Sequence, residues 1–399
     1  MGSYLDYNAT TPLRPEVWEA MAQVEFGPEM RRNPSSVHKP GLAARRAMAE
    51  ARASLAAGLG AKPSEIVFTG GGSEANNLAI KGTVWAAEVE RPHVVSTAVE
   101  HHAVLETLEW LESTGVEVTL APVDRTGRVA PEAIREALTP RTVLVSVMHV
   151  NNVVGTIQPV EEIGALCRER GVRFHVDAVQ AAGKLVVDAQ AIPCDLLSCS
   201  AHKLGGPKGV GALYVREGTP LAPLVHGGPQ ERHLRAGTEN VQGIVGFAEA
   251  LRLALAEREA NWERWRELRE VLHRFPRELD AVRVNSHPER TVPSCVNITF
   301  MFCDGMALAT NLSMKGIYVS TGSACSSGDL EPSHVLKAMG LSDRAAHGAL
   351  RFSFGAQTTR EEVEEAVEVT SDLVGKLRLI TVPEDIGKCK DDCPCFVMG

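Results

Sequence analysis

The chain has 399 residues, of which 44% are hydrophobic and 23% are charged, and this ordinary globular composition excludes a disordered or fibrous protein. Its 41 basic and 50 acidic residues give a formal net charge of −9, which argues against a main role in binding the nucleic-acid backbone or an anionic membrane surface. At roughly 150 residues per domain, we expect two or three domains.

The sequence also bears on location. No basic segment followed by an apolar run opens the chain, and the longest uncharged stretch, near residues 142–160, is interrupted by polar residues and a proline. We therefore expect neither a secretory signal nor a membrane span. Nine cysteines are an odd number and are spread irregularly, which favours reduced thiols. The sequence predicts a soluble cytoplasmic protein.

From residue 65 to residue 215, strand-like apolar runs alternate with amphipathic helical segments. The expected strands are 65–69, 93–97, 117–122, 142–149, 173–177, 196–200 and 211–215. The helices expected between them include 73–88, 102–113, 131–138 and 160–171. This alternation predicts βαβ units and an α/β fold with a mostly parallel, doubly wound sheet of seven strands.

After residue 243 the pattern changes. Residues 244–275 predict one long helix, residues 294–300 and 349–354 predict strands, and residues 360–377 predict a closing helix. We therefore predict a large domain over residues 14–261 and a smaller α+β domain formed by residues 1–13 and 262–382. Residues 383–399 form a polar, cysteine-bearing tail that we expect to be mobile.

A lysine and an aspartate stand at the ends of two predicted strands. Lys203 follows strand 196–200 and precedes a Gly/Pro-rich turn, and Asp177 ends strand 173–177. A lysine there suits a Schiff base with a carbonyl cofactor, and a nearby acid suits a pyridinium nitrogen. Together they form the pattern of a pyridoxal phosphate (PLP) enzyme, although each alone is equally well explained as a surface lysine or a helix-capping aspartate.

Two more segments follow predicted strands. Residues 69–74, Thr-Gly-Gly-Gly-Ser-Glu, precede a helix whose free N–H groups suit a phosphate, although alone they are better explained as a turn with Ser73 as N-cap. His101 follows strand 93–97, and an imidazole there suits stacking on a planar cofactor and proton transfer. A metal site at His101 and His102 is disfavoured because adjacent side chains converge poorly on one ion.

The cysteines differ in their surroundings. Cys325 lies in a run of small residues, 319–329, which suits an accessible nucleophilic thiol. The surroundings of Cys303 in the sequence do not distinguish an inert core thiol from a reactive one. The remaining cysteines before Cys325 stand in apolar segments and are expected to be inert core residues, namely Cys167, Cys194, Cys199 and Cys295.

In this order, these segments resemble the cysteine desulfurases of the NifS/IscS type, which are fold-type I PLP enzymes of the class-V aminotransferase family. The resemblance extends from about Tyr4 to about Leu379. Further matching stretches cover residues 4–12, 33–36, 148–152, 230–240 and 330–334, and the last two are most similar to the NifS branch.

The resemblance implies roles for the residues that would bind the cofactor. Lys203 would bind PLP covalently, Asp177 would pair with the pyridinium nitrogen, and Gln180 would contact the ring hydroxyl. His101 would stack on the ring. The phosphate would be held by Gly72, Ser73, Ser200 and His202.

The resemblance also implies a substrate and partners. Thr238 would reach the phosphate bound by a second subunit, which implies a homodimer with shared active sites. Asn152 and Arg351 would bind the carboxylate of L-cysteine, and a planar guanidinium fits that group bidentately. Cys325 would attack the substrate sulfur, with His101 handling a proton, to give L-alanine and a persulfide. The sulfur would pass to an acceptor such as an iron–sulfur scaffold protein.

The tail carries three cysteines that the resemblance does not require, Cys389, Cys393 and Cys395. Incidental thiols, a metal site that includes these residues or Cys325, and sulfur-accepting thiols all stay open as explanations.

Alternative functions share the same scaffold. A selenocysteine lyase would still use Lys203, whereas an aminotransferase would not need Cys325. A non-catalytic sulfur carrier is disfavoured because Lys203, Asp177 and Cys325 are all present.

Overall fold

The computed structural model describes residues 2–29, 31–321, 331–381 and Phe396. Within them the strands are β1 (Ser3–Tyr4), β2 (Ile66–Thr69), β3 (His93–Thr97), β4 (Glu117–Ala121), β5 (Thr142–Met148), β6 (Arg173–Asp177), β7 (Leu196–Ser200), β8 (Gly211–Val215), β9 (Val282–Val284), β10 (Cys295–Phe300), β11 (Ile317–Tyr318) and β12 (Ala349–Ser353). The helices are α1 (Pro15–Phe26), α2 (Lys39–Gly58), α3 (Gly72–Trp85), α4 (His102–Ser113), α5 (Pro131–Ala137), α6 (Val160–Arg170), α7 (Val241–Leu272), α8 (Phe275–Glu278), α9 (Gly305–Met314), α10 (His334–Ala338), α11 (Asp343–His347) and α12 (Arg360–Thr381).

Seven strands form the central sheet in the order β2-β8-β7-β6-β5-β3-β4. Strands β3 to β7 pair in parallel, whereas β8 runs antiparallel to both β7 and β2. Every residue of β5, β7 and β8 is buried, which is typical of a sheet covered by helices on both faces. The predicted α/β fold is confirmed, and each of the seven predicted strands is present within one residue of its predicted bounds.

The helices α1 and α2, which precede the sheet, were not among the predicted elements. The buried face of α2 is built largely from small side chains, including Ala44, Ala47 and Ala51. Alanine gives a weak hydrophobic periodicity in the sequence, yet it permits close packing against α7. Helix α2 was therefore missed because its apolar stripe is largely alanine, and α1 was missed because only Val17 and Val24 are buried along its length.

A second layer contains the antiparallel sheet β12-β10-β9 and the helix α12. The long helix α7 joins this layer to the first, since Ile244 and Phe247 pack in the core around the large sheet, and Trp265 and Leu268 pack in the second core. The change of core along α7 is compatible with a domain boundary near residue 261. The division into residues 14–261 and residues 1–13 with 262–382 stays a prediction.

No helix in the described part of the chain is long and apolar enough to cross a lipid bilayer. Beyond α12, Phe396 is buried in a cluster that includes Val335 of α10 and Ala345 of α11, and its carbonyl oxygen accepts a hydrogen bond from the backbone N–H of Ser342 (3.1 Å). Cys389, Cys393 and Cys395 lie outside the described residues.

Candidate active site

The carboxyl ends of β5, β6 and β7 meet at one edge of the central sheet, where they border a cavity of about 320 Å³. Ligands in open α/β sheets gather at such an edge because the loops that follow parallel strands converge there. Ten predicted site residues line this cavity, namely Gly72, Ser73, His101, Asn152, Asp177, Gln180, Ser200, His202, Lys203 and Arg351. The structure therefore brings them together, and their individual roles stay predictions.

Lys203 lies in a helical turn that directly follows β7. Its ammonium group donates hydrogen bonds to the carbonyl oxygens of Asn8 (2.5 Å) and Ala9 (2.7 Å). The N-terminal segment is held over this turn because the Thr11 hydroxyl donates to the carbonyl oxygen of His202 (2.7 Å). Backbone carbonyls thus hold the amine at the cavity.

Asp177 closes β6 and is 5% exposed. Its Oδ2 accepts a hydrogen bond from the side-chain amide of Asn76 (2.7 Å), and its Oδ1 accepts one from the backbone N–H of Val179 (2.9 Å). Two donors fix the carboxylate in one orientation, as is needed of an acid that holds a proton on a ring nitrogen.

His101 is the N-cap of α4, and its Nδ1 accepts a hydrogen bond from the backbone N–H of Ala103 (3.0 Å). That bond places the proton of the neutral ring on Nε2. Burial lowers the pKa of His101 below its usual value, the positive charge of Lys203 lowers it further, and Asp177 opposes both effects. His101 is therefore a neutral imidazole at pH 7.

The phosphate-binding residues predicted from the sequence surround the N-terminus of α3. Ser73 lies in the first turn of this helix, where free N–H groups and the positive dipole end favour an anion. The hydroxyl of Ser200 is buried beside it and has no hydrogen-bond partner among the described residues. A Cβ on Gly72 would come within 2.8 Å of Val179, so glycine keeps this cradle open. The donor set fits a phosphate group.

Arg351, on β12, lines the same cavity and is 3% exposed. Its Nη2 pairs with Asp6 Oδ1 (2.6 Å), and its Nη1 donates to the carbonyl oxygen of Asn152 (3.0 Å). Its Nε is buried and has no partner among the described residues. Arg351 therefore retains a donor for a substrate carboxylate while its other nitrogens are held by the protein.

Thr238, itself described, is exposed and is not among the residues that line the cavity. The turn before it is strained, since residues 231–233 have φ values of 46°, 58° and 66°. Buried Glu231 holds this turn by accepting hydrogen bonds from both Arg52 Nη atoms (2.5 and 2.8 Å) and from the backbone N–H of Phe68 (2.8 Å). Thr238 is thus presented on the surface of its own chain.

The five described cysteines are buried free thiols, namely Cys167, Cys194, Cys199, Cys295 and Cys303. Burial raises the pKa of each, to about 12 for Cys167 and for Cys194. None of the five is a reactive thiolate at neutral pH. The prediction that the first four are inert is consistent with this burial, and Cys303 joins them.

Cys325 lies outside the described residues, but both neighbouring stretches are anchored at the site. The backbone of Ser320 exchanges two hydrogen bonds with that of Arg351 (2.6 and 3.2 Å). On the other side, His334 Nε2 donates to the carbonyl oxygen of Glu100 (2.9 Å), next to His101. The chain that carries Cys325 therefore leaves and rejoins the described structure beside the cavity.

Within the described residues, no group of three or more His, Cys, Asp or Glu side chains is arranged to hold a metal ion. The metal-ligand candidates from the sequence, Cys325 and the tail residues Cys389, Cys393 and Cys395, lie outside these residues and stay predictions.

Several polar residues beside the cavity were missed. Asn76 follows Ser73 by three residues on α3, so a polar side chain on the buried face of that helix was its signal. Asn8 and Asp6 lie in the stretch 4–12 that supported the resemblance, where they received no role. Glu100 is fully buried, and burial raises its pKa to about 8. No sequence pattern pointed to Lys184, because its contact with Asn8 arises only from the fold.

A family model described as aminotransferase class-V matches residues 3–366. Cysteine desulfurase IscS of Dictyoglomus turgidum is 46% identical over 379 residues, which cover 95% of this chain and 96% of that protein. Among solved structures, a NifS-like protein has a TM-score of 0.88 at 37% identity and covers 94% of this chain and 100% of its own. The structure of SspA in complex with cysteine has a TM-score of 0.77 at 37% identity, with 88% and 98% coverage.

The chain therefore belongs to the class-V aminotransferases, whose enzymes depend on PLP, and within them to the cysteine desulfurases. The predicted fold class, PLP cofactor and desulfurase class are confirmed by these likenesses. The cavity itself suits PLP, because it combines a lysine, a fixed carboxylate and an anion cradle with the Ser200 hydroxyl, which has no hydrogen-bond partner in the described part of the chain.

Proposed function

We propose that this protein converts L-cysteine to L-alanine and retains the sulfur as a persulfide on Cys325. The observation that carries the proposal is the single cavity that brings together Lys203, Asp177 and Arg351 from three separate elements. A lysine for the cofactor, an acid for its ring and a guanidinium for an α-carboxylate are the groups that an amino-acid substrate of a PLP enzyme requires. The cysteine complex of SspA supports cysteine as that amino acid.

When bound, PLP would withdraw electrons from the substrate Cα, which weakens the Cα–H bond and, once that proton is lost, the bond between Cβ and sulfur. Asp177 would hold a proton on the ring nitrogen, and Ser73 and Ser200 would bind the phosphate. Arg351 and Asn152 would orient the substrate by its carboxylate. As a neutral amine, Lys203 Nζ would take the proton from the substrate Cα, and the carbonyl oxygens of Asn8 and Ala9 would accept hydrogen bonds from the ammonium group that forms.

The sulfur step balances without an external oxidant or reductant. The Cys325 sulfur attacks the sulfur of the substrate, the C–S bond breaks, and the carbon accepts a proton to become the methyl group of alanine. Cysteine and the Cys325 thiol thus give alanine and a persulfide, with carbon reduced and sulfur oxidised. The resemblance assigns His101 to the thiol proton; its ring is neutral at pH 7, and Nδ1 would take that proton by giving up the hydrogen bond from the Ala103 N–H.

The test is the Cys325→Ser variant. We expect it to bind PLP and cysteine as the wild type does but to form no protein persulfide, because a hydroxyl cannot accept the sulfur. Persulfide is measured by alkylation and mass spectrometry after one turnover with L-cysteine. Cys303→Ser is the matched control, because its thiol is buried. A Cys325→Ser protein that released sulfide at the wild-type rate would overturn the assignment of the nucleophile.

The partners follow from the same proposal. Exposed Thr238, on a loop that a buried ion pair holds, would contact the phosphate in a second copy of the chain, which makes the protein a homodimer. The persulfide sulfur would pass to an iron–sulfur scaffold protein, a role that the IscS names of the relatives support. Free thiols at all five described cysteines favour a reducing compartment, the cytoplasm.

A further inference from the structure

Lys184 is a buried lysine to which the proposed reaction gives no role. Its residue is 8% exposed, and no carboxylate among the described residues forms an ion pair with it. The turn that follows β6 directs it inward at Gly183, which has a φ of +73° and would bring a Cβ within 2.7 Å of Leu204. A buried ammonium without an acidic partner is costly unless its hydrogen bonds serve a purpose.

The Lys184 ammonium donates to two side-chain amides. Its Nζ lies 2.9 Å from Gln180 Oε1 and 3.1 Å from Asn8 Oδ1. Because an ammonium group only donates, it selects the oxygen of each amide and turns the nitrogen away. Lys184 therefore fixes which end of each amide faces the rest of the site.

The two amides oriented by Lys184 in turn form hydrogen bonds with groups at the cavity. Gln180 Nε2 donates one hydrogen to the carbonyl oxygen of Asn8 (2.9 Å), the same oxygen that accepts from Lys203 (2.5 Å). Its second hydrogen is available to an acceptor, and Gln180 lines the cavity. Asn8 Nδ2 in turn donates to the carbonyl oxygen of Asn152 (3.1 Å), a residue on the substrate side.

We propose that Lys184 is a positioning residue, whose ammonium holds the Gln180 amide with its N–H groups toward the cavity, so that Gln180 donates a hydrogen bond to the ring oxygen of bound PLP. Without Lys184 the amide orientation depends on the single hydrogen bond from Gln180 Nε2 to the Asn8 carbonyl oxygen, and an inverted amide would present its own oxygen to that ring oxygen, which is unfavourable. This inference rests on the proposed function, because it requires PLP in this cavity.

The positive charge of Lys184 and the hydrogen bond from Gln180 have the same effect: both lower the proton affinity of the bound cofactor. Burial lowers its pKa to about 8, and the titratable groups that face it are Cys295, Lys203 and Arg351. At pH 7 it is still an ammonium ion close to Lys203, and a positive charge there opposes a second proton in the site. Loss of the charge and loss of the Gln180 hydrogen bond both raise the proton affinity of the cofactor bound at Lys203.

The test compares K184M, which keeps the length of the side chain and removes the donor, with the exposed control K62M. PLP is titrated into the apoprotein, and the absorption of the bound cofactor is then followed against pH without substrate. We expect K184M to bind PLP about tenfold more weakly, since a charge-assisted hydrogen bond network is lost. We expect the midpoint of the pH-dependent absorption change of bound PLP to rise by about one unit in K184M. In K62M, the PLP affinity and this midpoint should equal those of the wild type.

A double variant separates positioning from general destabilisation. If Lys184 acts through Gln180, K184M added to Q180A changes PLP affinity by less than about twofold, whereas independent effects would add. Additive losses, or a K184M midpoint equal to that of the wild type, would overturn the proposal. Circular dichroism checks folding.

Should K184M not fold, K184Q carries the test, because it keeps an N–H donor and loses the charge. Its midpoint is expected to rise while its PLP affinity stays within about threefold of the wild type, and an unchanged midpoint would contradict the role of the charge. None of these readouts uses cysteine. Failure of the desulfurase proposal would appear separately, as a wild-type protein that binds PLP but forms no alanine.

Discussion

The cavity has two walls of different construction. The first, which we call the strand wall, consists of Asp177, Ser200 and Lys203 at the ends of β6 and β7. The second, the crossing wall, consists of Arg351 on β12 and the N-terminal segment that contains Asp6. The strand wall is held by a parallel ladder of backbone hydrogen bonds along whole strands, whereas the crossing wall joins residues 345 positions apart through the Arg351–Asp6 ion pair and a single backbone bridge between Asp6 and Ser353.

The difference separates two tasks. A wall built on adjacent strands is rigid, which suits the groups that must hold a cofactor in place. A wall assembled from two remote segments depends on one ion pair and a short backbone pairing, and it carries the groups that would contact the substrate. The strand wall should therefore govern cofactor binding, and the crossing wall should govern substrate affinity.

Removal of the amine from the strand wall should have the largest effect. Lys203→Ala takes away the group that would bind the cofactor covalently and move the Cα proton, so we expect kcat for alanine formation to fall by more than about a thousandfold. Alanine is quantified by chromatography. Lys62→Ala, an exposed lysine paired with Glu217, serves as the control. A Lys203→Ala protein with a tenth of the wild-type rate would contradict the assigned role.

A change on the crossing wall should act on substrate affinity instead. Arg351→Lys keeps the charge but loses the planar fork that both Asp6 and a carboxylate require, so KM for L-cysteine should rise about tenfold or more with PLP affinity unchanged. Steady-state kinetics and a PLP titration measure the two quantities. Arg269→Lys is the matched control outside the cavity. A loss of PLP affinity with unaltered KM would reverse the division between the walls.

The smallest expected effect concerns the support behind the strand wall. His175 on β6 is fully buried between Ser146 and Ser198 of the adjacent strands, and burial lowers its pKa to about 3. The unfolded chain takes up a proton on this ring below pH 6.5, whereas the folded chain does not. The stability is therefore complete above pH 6.5 and is lost as the pH falls toward 3.

At pH 5 this difference costs about 2 kcal/mol of unfolding free energy relative to pH 7. Urea unfolding at both pH values measures it, and His175→Asn should weaken the pH dependence by about this amount. Exposed His347→Asn serves as the control. An equal pH dependence in wild type and His175→Asn would show that the strand wall does not rely on a neutral His175.

The two walls also differ in how far the sequence predicts them. Asp177 and Lys203 follow apolar runs whose strand character is local, and parallel strands bring their ends to one edge, so their proximity was predictable. Gln180 and Arg351 were assigned through family resemblance. The bonds of Asn8 to Lys184, Lys203 and Ser353 join segments with no local signal in common. Such contacts follow from tertiary packing and were therefore not predictable from pattern.

The most direct test of the central claim is a titration of the purified wild-type protein with L-cysteine under a reductant. We expect an absorption band of bound PLP that changes when cysteine is added, with alanine and sulfide formed in equal amounts. A protein that shows no such band after added PLP, or that forms a keto acid in place of alanine, would contradict the desulfurase function.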